Sequence, residues 1–383
     1  MRRVPTEELK TGDRLGRDVY ATPDSMPLLR TGVRLSDSYR QSLLRAGIPA
    51  VWIDDAISEG IEPLEVLEES TKRRATAAIH DAFRNMSSSL PRGGRLSARV
   101  AEEMNEVAEL IIRDITANIH SALALNDLAN ADGYTLKHSL AVTTLGLSLG
   151  LRVMRKHGWT DALGKRRFDD IEGRLAPLGV GLLLHDIGKL AVPQEILQKP
   201  GKLNEEEWQA IRSHPMLGFQ MLQKAEGISP LARAVVRSHH ERWDGSGYPE
   251  NRTGVEIHQF ARIAAAADVF DALTSDRCYR QALPPHEGYD MIVRGAGRDF
   301  DPDVVDIFKS FVAPYPPGTR VVLSDGTCGL VKEVRPDAVT TPIVRIILDA
   351  SRTVVSPREI DLSRSMEITI VSTEFELPVP SPA

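Results

Sequence analysis

Imidazoles and carboxylates recur through the middle of this chain: His138, the adjacent His185 and Asp186, His214, the adjacent His239 and His240, and Asp268. Imidazole nitrogen suits Fe, Mn, Ni, Cu and Zn, and a carboxylate can bridge two cations and offset their repulsion. A mixed set of this kind favours a di-metal hydrolytic centre, for which phosphate ester cleavage is the natural chemistry. His185 and Asp186 end the apolar run 179–184 and precede Ile187-Gly188-Lys189, so both emerge where a buried helix meets a cleft. A buried Asp is costly unless a cation compensates it; the alternative, an Asp186–Lys189 ion pair one turn apart, leaves His185 unexplained. His214 follows a capped helix start at Asn204 and shares a face with Trp208 and Ile211; alone it reads more readily as a structural histidine than as a ligand. His239-His240-Glu241 opens the glycine-rich loop Trp243-Asp244-Gly245-Ser246-Gly247-Tyr248-Pro249, and paired imidazoles before such a loop are poor core material. Asp268 lies in the apolar segment 263–273 with Asp271 one turn on, and needs a partner there. Arg277 and Arg280, three apart, suit a forked grip on phosphate oxygens, or equally a solvated helix surface.

The elements that must position these groups follow from periodicity. Residues 1 to about 55 alternate short apolar stretches with turns, then suggest a helix over 35–46 and a strand over 50–53, a small α+β module. Apolar residues three and four apart predict helices from about Glu62 to Asn130, interrupted at Pro91-Arg92-Gly93-Gly94, and an almost entirely α domain up to Val312. Beyond 314–318 the segments 320–323, 329–334, 343–348 and 366–371 read as strands of a small β domain, with a frayed proline-rich end after Leu377. The expected fold class is therefore multidomain and mainly α. Its parts are an α+β module at 1–58, a helical connector at 59–104, the metal-bearing helical domain at 105–313, and a β domain at 314–383.

Composition narrows the class. With 383 residues, several domains are expected. Lys and Arg number 47 against 53 Asp and Glu, net charge −6, which argues against coating a nucleic-acid polymer and leaves any small anion to local cations. Cys278 and Cys328 match no metal or redox pattern, and the apolar run 140–151 is too short to span a bilayer, so the expectation is a soluble cytoplasmic protein.

The string His185-Asp186-Ile187-Gly188-Lys189, the spacing to His214, the run from His239 to Pro249 and Ala267-Asp268-Val269-Phe270-Asp271-Ala272-Leu273-Thr274 closely resemble the HD-GYP branch of the HD-domain phosphohydrolases. The resemblance covers roughly residues 105–312, and its motifs are specific. It implies an all-α domain that hydrolyses cyclic di-GMP to pGpG or GMP by attack of a metal-bridging hydroxide. It makes His138, His185, Asp186 and Asp268 ligands of one ion, with Asp186 bridging to a second held by His214, His239 and His240. Iron or manganese is expected, with Zn, Ni or Co as alternatives. Lys189, Arg277 and Arg280 match positions that contact phosphate, Tyr248 matches the tyrosine of the GYP loop, and Asp271 matches a supporting carboxylate; Asp186, Lys189 and Asp271 are the expected catalytic residues. Trinuclear members carry Glu four residues before the first His, where this chain has Tyr134, so two ions are expected. Cys278 stands where the family usually has Pro, and 251–253 depart from the usual stretch, which bears on substrate preference. The N-terminal module resembles, more weakly, a domain often found before HD-GYP domains.

Three functions compete at this stage. The first is an active phosphodiesterase for cyclic di-GMP or a related cyclic dinucleotide. The second is an idle relative that binds cyclic di-GMP or a signalling partner, such as a GGDEF-domain protein, and transmits through the flanking domains; a homodimer is compatible with either reading. The third is a mononuclear nucleotidase, for which His214, His239 and His240 would be superfluous.

Overall fold

The computed structural model describes residues 1–20, 26–90, 94–124, 134–161, 165–199, 201–275, 282–365 and 367–373. In chain order the elements are β1 (Arg2–Pro5), α1 (Asp37–Arg45), β2 (Ala50–Ile53), α2 (Glu69–Ser89), α3 (Ala98–Ala117), α4 (Tyr134–His157), and a hairpin of β3 (Trp159–Thr160) and β4 (Arg166–Arg167). There follow α5 (Ile171–Leu183), α6 (Gln194–Leu197), α7 (Glu205–Arg212), α8 (His214–Gln223), α9 (Pro230–Ser238), α10 (Gln259–Thr274), α11 (Pro285–Arg294) and α12 (Pro302–Phe311). The chain closes with β5 (Arg320–Leu323), β6 (Cys328–Glu333), β7 (Ile343–Leu348), β8 (Val354–Asp361) and β9 (Ile370–Ser372). Among the described residues no helix is long and apolar enough to cross a membrane.

Two compact units result: Met1–Glu65 with His120–Ala131 and Phe311–Ala383, and Val66–Ile119 with Asp132–Ser310. In the first, β1 and β2 pair antiparallel and a local core of Leu15, Leu43 and Ile53 closes over them. The strands at the other end of the chain form an antiparallel sheet in the order β8-β7-β6-β5-β9. Alternation along β5 sends Val321 and Leu323 to one core and Val322 to another, where Ile61 packs. Arg320 pairs with Glu8 at 3.1 Å, so segments read separately from the sequence share one unit.

Sequence periodicity misses β8 and overextends two other elements. β8 contains Pro357, Arg358 and Glu359 and is largely exposed, as an edge strand protected from further pairing would be, so it carries no alternating apolar signal. The strand expected over 366–371 is confined to β9. Leu64, Val66 and Leu67 precede α2 instead of belonging to it, and the Glu68 amide just before the helix donates to Asp114 Oδ2 at 3.0 Å.

In the second unit α4 packs on α5 and α10, and α5 also packs on α3 and α9. The apolar run of α4 is buried throughout its length, and Gly146 is required within it: a Cβ there would lie 2.6 Å from Leu182 Cδ1. Small buried side chains at Ala264–Ala267 let α10 pack on α4, which sets the carboxylates of α10 opposite His138.

Candidate metal centre

Helix ends build most of this site. His185 and Asp186 follow α5, His214 begins α8 directly after α7, and His239 caps α9, while His138 and Asp268 project from inside α4 and α10. The last carbonyls of a helix have no partner inside the helix. Here they anchor the ligands: His185 Nδ1 bonds Leu182 O at 2.7 Å, His214 Nδ1 bonds Ile211 O at 2.7 Å, and His239 Nδ1 bonds Val236 O at 3.0 Å. A carbonyl only accepts, so each ring carries its proton on Nδ1 and turns a bare Nε2 inward. His138 Nδ1 is held instead by Asp271 Oδ2 at 2.7 Å.

The inward atoms form two groups, His138 with His185 and Asp186, and His214 with His239 and His240; the donor atoms within each group lie within 4.8 Å of one another. Asp186 spans them, with Oδ2 at 3.6 Å from His138 Nε2 and Oδ1 at 3.3 Å from His214 Nε2. Asp268 also spans them, with Oδ1 3.1 Å from His138 Nε2 and Oδ2 3.6 Å from His240 Nδ1. The Nε2 atoms of His214 and His239 face each other at 3.3 Å although both rings are protonated on the far side. Two lone pairs so opposed need a cation between or beside them, so the donor set fits bound metal.

Electrostatics agree. Burial, with His185 and His214 alongside, pushes His239 down to about 3, and burial with His239 beside it holds His240 well below its ordinary value. Burial also lowers His185. Burial works to raise Asp186 and Asp268, yet Lys189, His185 and His214 hold Asp186 well below the usual carboxylate range, and His138 and His240 do the same for Asp268. Burial opposes a charge on His138, but Asp268 and Asp271 outweigh it and raise the imidazole to about 9. Neutral imidazoles and ionised carboxylates are the forms that bind metal, and a proton on His138 is what a cation would displace.

Lys189 reaches Asp186 Oδ2 at 2.6 Å, so the lysine expected at phosphate lies against this carboxylate. Gly188 permits that: a Cβ on it would run into the His214 carbonyl where the turn 187–191 crosses α8. Tyr248 stacks on His240 with ring centroids 4.7 Å apart, and burial, with Asp268 and Asp186 nearby, pushes its phenol up, which keeps it a hydrogen-bond donor. Arg277, Arg280 and Cys278 lie outside the described residues, and Tyr134 begins α4.

Two residues were given no role by the sequence. Glu241 is buried and accepts from the amides of Glu250 at 2.8 Å and Arg252 at 3.1 Å, which closes the loop that carries Tyr248. Arg212 sits with its guanidinium 5.5 Å from the Tyr248 ring centroid. A carboxylate directly after two ligands was the available signal for Glu241; Arg212, at the end of a helix start-to-ligand run, had none. Of the other histidines, His258 caps α10 by accepting from Phe260 N at 3.1 Å, and His80 is exposed.

The sequence profile of the HD domain family matches residues 169–304, which takes in every ligand candidate except His138. The chain is 32% identical over 95% of its length to a cyclic di-GMP phosphodiesterase of Pseudomonas aeruginosa and covers 90% of that protein. It belongs to the HD-domain metal-dependent phosphohydrolases, in their HD-GYP branch. Over 105 residues, 27% of this chain and 24% of the relative, it is 49% identical to a 3'3'-cGAMP-specific phosphodiesterase of Vibrio cholerae. A solved structure of an HDG"Y"P protein from Bdellovibrio bacteriovorus aligns with a TM-score of 0.47 and 16% identity, covering 80% of this chain and 99% of that one.

Proposed function

We propose that the chain is a metal-dependent phosphodiesterase that hydrolyses cyclic di-GMP to pGpG, GMP or both. The observation that carries this reading is the pair of donor groups spanned by Asp186, whose two oxygens face different imidazoles. Two divalent ions, iron or manganese first, would be held by His138, His185, Asp186 and Asp268 on one side and by Asp186, His214, His239 and His240 on the other. When bound, they would lower the pKa of water and neutralise phosphate charge.

The chain's own residues do the rest. Asp271 fixes the ring of His138 through Nδ1, and the helix-end carbonyls fix His185, His214 and His239, so no ligand has to reorient during turnover. Lys189 neutralises Asp186 and presents a cation at the edge of the centre. Tyr248, packed on His240 and flanked by Arg212, offers a ring and a hydroxyl to a guanine or ribose, and Arg277 and Arg280 grip phosphate. Relatives named for cyclic di-GMP and for 3'3'-cGAMP support the cyclic dinucleotide class. A mononuclear nucleotidase is disfavoured because His214, His239 and His240 form a second complete group. We further assign residues 1–58, 59–104 and 314–383 to signal input and connection around the catalytic domain at 105–313.

Anaerobic purification with metal analysis, followed by chromatography of the products from cyclic di-GMP, tests this. Two ions per chain and release of pGpG or GMP are expected. One ion per chain with no cleavage of cyclic di-GMP overturns the reading.

A further inference from the structure

A cationic groove lies behind α10, turned away from the metal ligands. Asp268 and Asp271 face the centre, while Val269 and Leu273 of the same helix line the groove. At 100° per residue the two pairs point roughly 150° apart. The groove has a volume of about 410 Å³, within the range of small-molecule sites. Three guanidinium groups line it, those of Arg242, Arg294 and Arg298, against the single carboxylate of Asp299. Arg298 Nε holds that carboxylate at 3.0 Å, which leaves the charge of the other two arginines uncompensated within the lining.

Arg242 carries the argument furthest. Its Nη1 is buried and has no hydrogen-bond partner among the described residues, and its guanidinium lies 5.6 Å from the Phe300 ring centroid. A buried donor left unpaired forfeits the hydrogen bond it had to water, so an acceptor supplied by a ligand is favoured. Phe300, Met291, Val269 and Leu273 supply an apolar, partly aromatic wall beside these charges. Guanidinium forks match phosphate oxygens, and an apolar wall of this size matches one planar base.

We propose that this groove is a binding site for a purine nucleoside monophosphate, separate from the metal centre. Its wall is tied to the loop that bears Tyr248, since Trp243 N donates to Asp299 O at 3.2 Å and Asp244 N to Arg298 O at 2.9 Å. A bound nucleotide therefore bears on the same loop and on the helix that presents Asp268.

Equilibrium dialysis of the metal-loaded protein with radiolabelled GMP tests the proposal. The choice of GMP as probe rests on the proposed reaction, but binding is read without turnover, so a failure of that reading leaves this test intact. Arg294→Ala combined with Arg298→Ala should weaken one component of GMP binding about tenfold or more. Met291→Glu, at a side chain 46% exposed and so tolerant of charge, should do the same by repulsion. Asp186→Ala, which disrupts the metal centre, should retain that component. GMP binding that disappears in Asp186→Ala but is unchanged in both groove variants overturns the proposal, as does the absence of any GMP binding at millimolar concentration.

Discussion

Asp186 is buried between two sets of imidazoles with a lysine on its Oδ2, so its charge is held by every neighbour it touches. Replacing it with Ala removes the shared carboxylate and leaves two cations to repel each other. Asp186→Ala is expected to lose metal, measured by elemental analysis, and to lower turnover by roughly two orders of magnitude or more. Normal metal content with normal turnover would refute the spanning role. Arg277→Ala should act differently, raising KM for cyclic di-GMP by roughly 10-fold to 150-fold, the equivalent of about 1.5–3 kcal/mol for one charge-assisted hydrogen bond. An unchanged KM in steady-state assays removes Arg277 from the substrate site. Residue identity was the most legible feature of this site, because adjacent His and Asp at the end of an apolar run, and paired His before a glycine-rich loop, have few structural uses. What residue identity left open was the reach of Asp268, expected beside His138 alone but facing His240 as well.

Helix termini are the working parts at the next scale. Three ligand histidines sit where a helix runs out of internal hydrogen bonds and are oriented by its last carbonyls, a geometry that periodicity hints at only through the ends of apolar runs. α10 is set by its start as well, where His258 accepts from Phe260 N. Burial, with Arg262 and Arg174 nearby, lowers His258 to about 4. The unfolded chain therefore binds a proton at His258 near pH 6.5 that the folded chain refuses until about pH 4. Stability from this group is complete above pH 6.5 and falls as pH drops towards 4, by on the order of 2–3 kcal/mol. Urea unfolding across that range should show this loss, and His258→Asn, which keeps a capping oxygen, should flatten it. An identical pH slope in the variant would exclude His258. The strand β8 shows the opposite limit of legibility, since an exposed edge strand with Pro357 carries no pattern to read.

At the scale of the whole molecule, every donor belongs to the unit built from 66–119 and 132–310, and none to the unit built from both chain ends. Metal should therefore stabilise one unit selectively. Ions present at about 100 times their dissociation constant add roughly 2.7 kcal/mol each, and a kcal/mol moves the melting temperature of a unit this size by about 2–4 °C. Calorimetry with and without chelator should show two transitions, of which one falls by roughly 10–20 °C for the two ions and the other stays. Two transitions moving together would contradict it. The sequence by itself determined the ligand types, their spacing and the helical periodicity around them, because metal chemistry restricts donors to few residues and a buried helix must repeat its apolar face. Only the tertiary structure decided which oxygen of Asp186 meets which imidazole, that both ends of the chain enter one unit, and that Arg242, Arg294 and Arg298 converge behind α10. Those are contacts between residues far apart in the chain, set by close packing of side chains, and no local pattern encodes them.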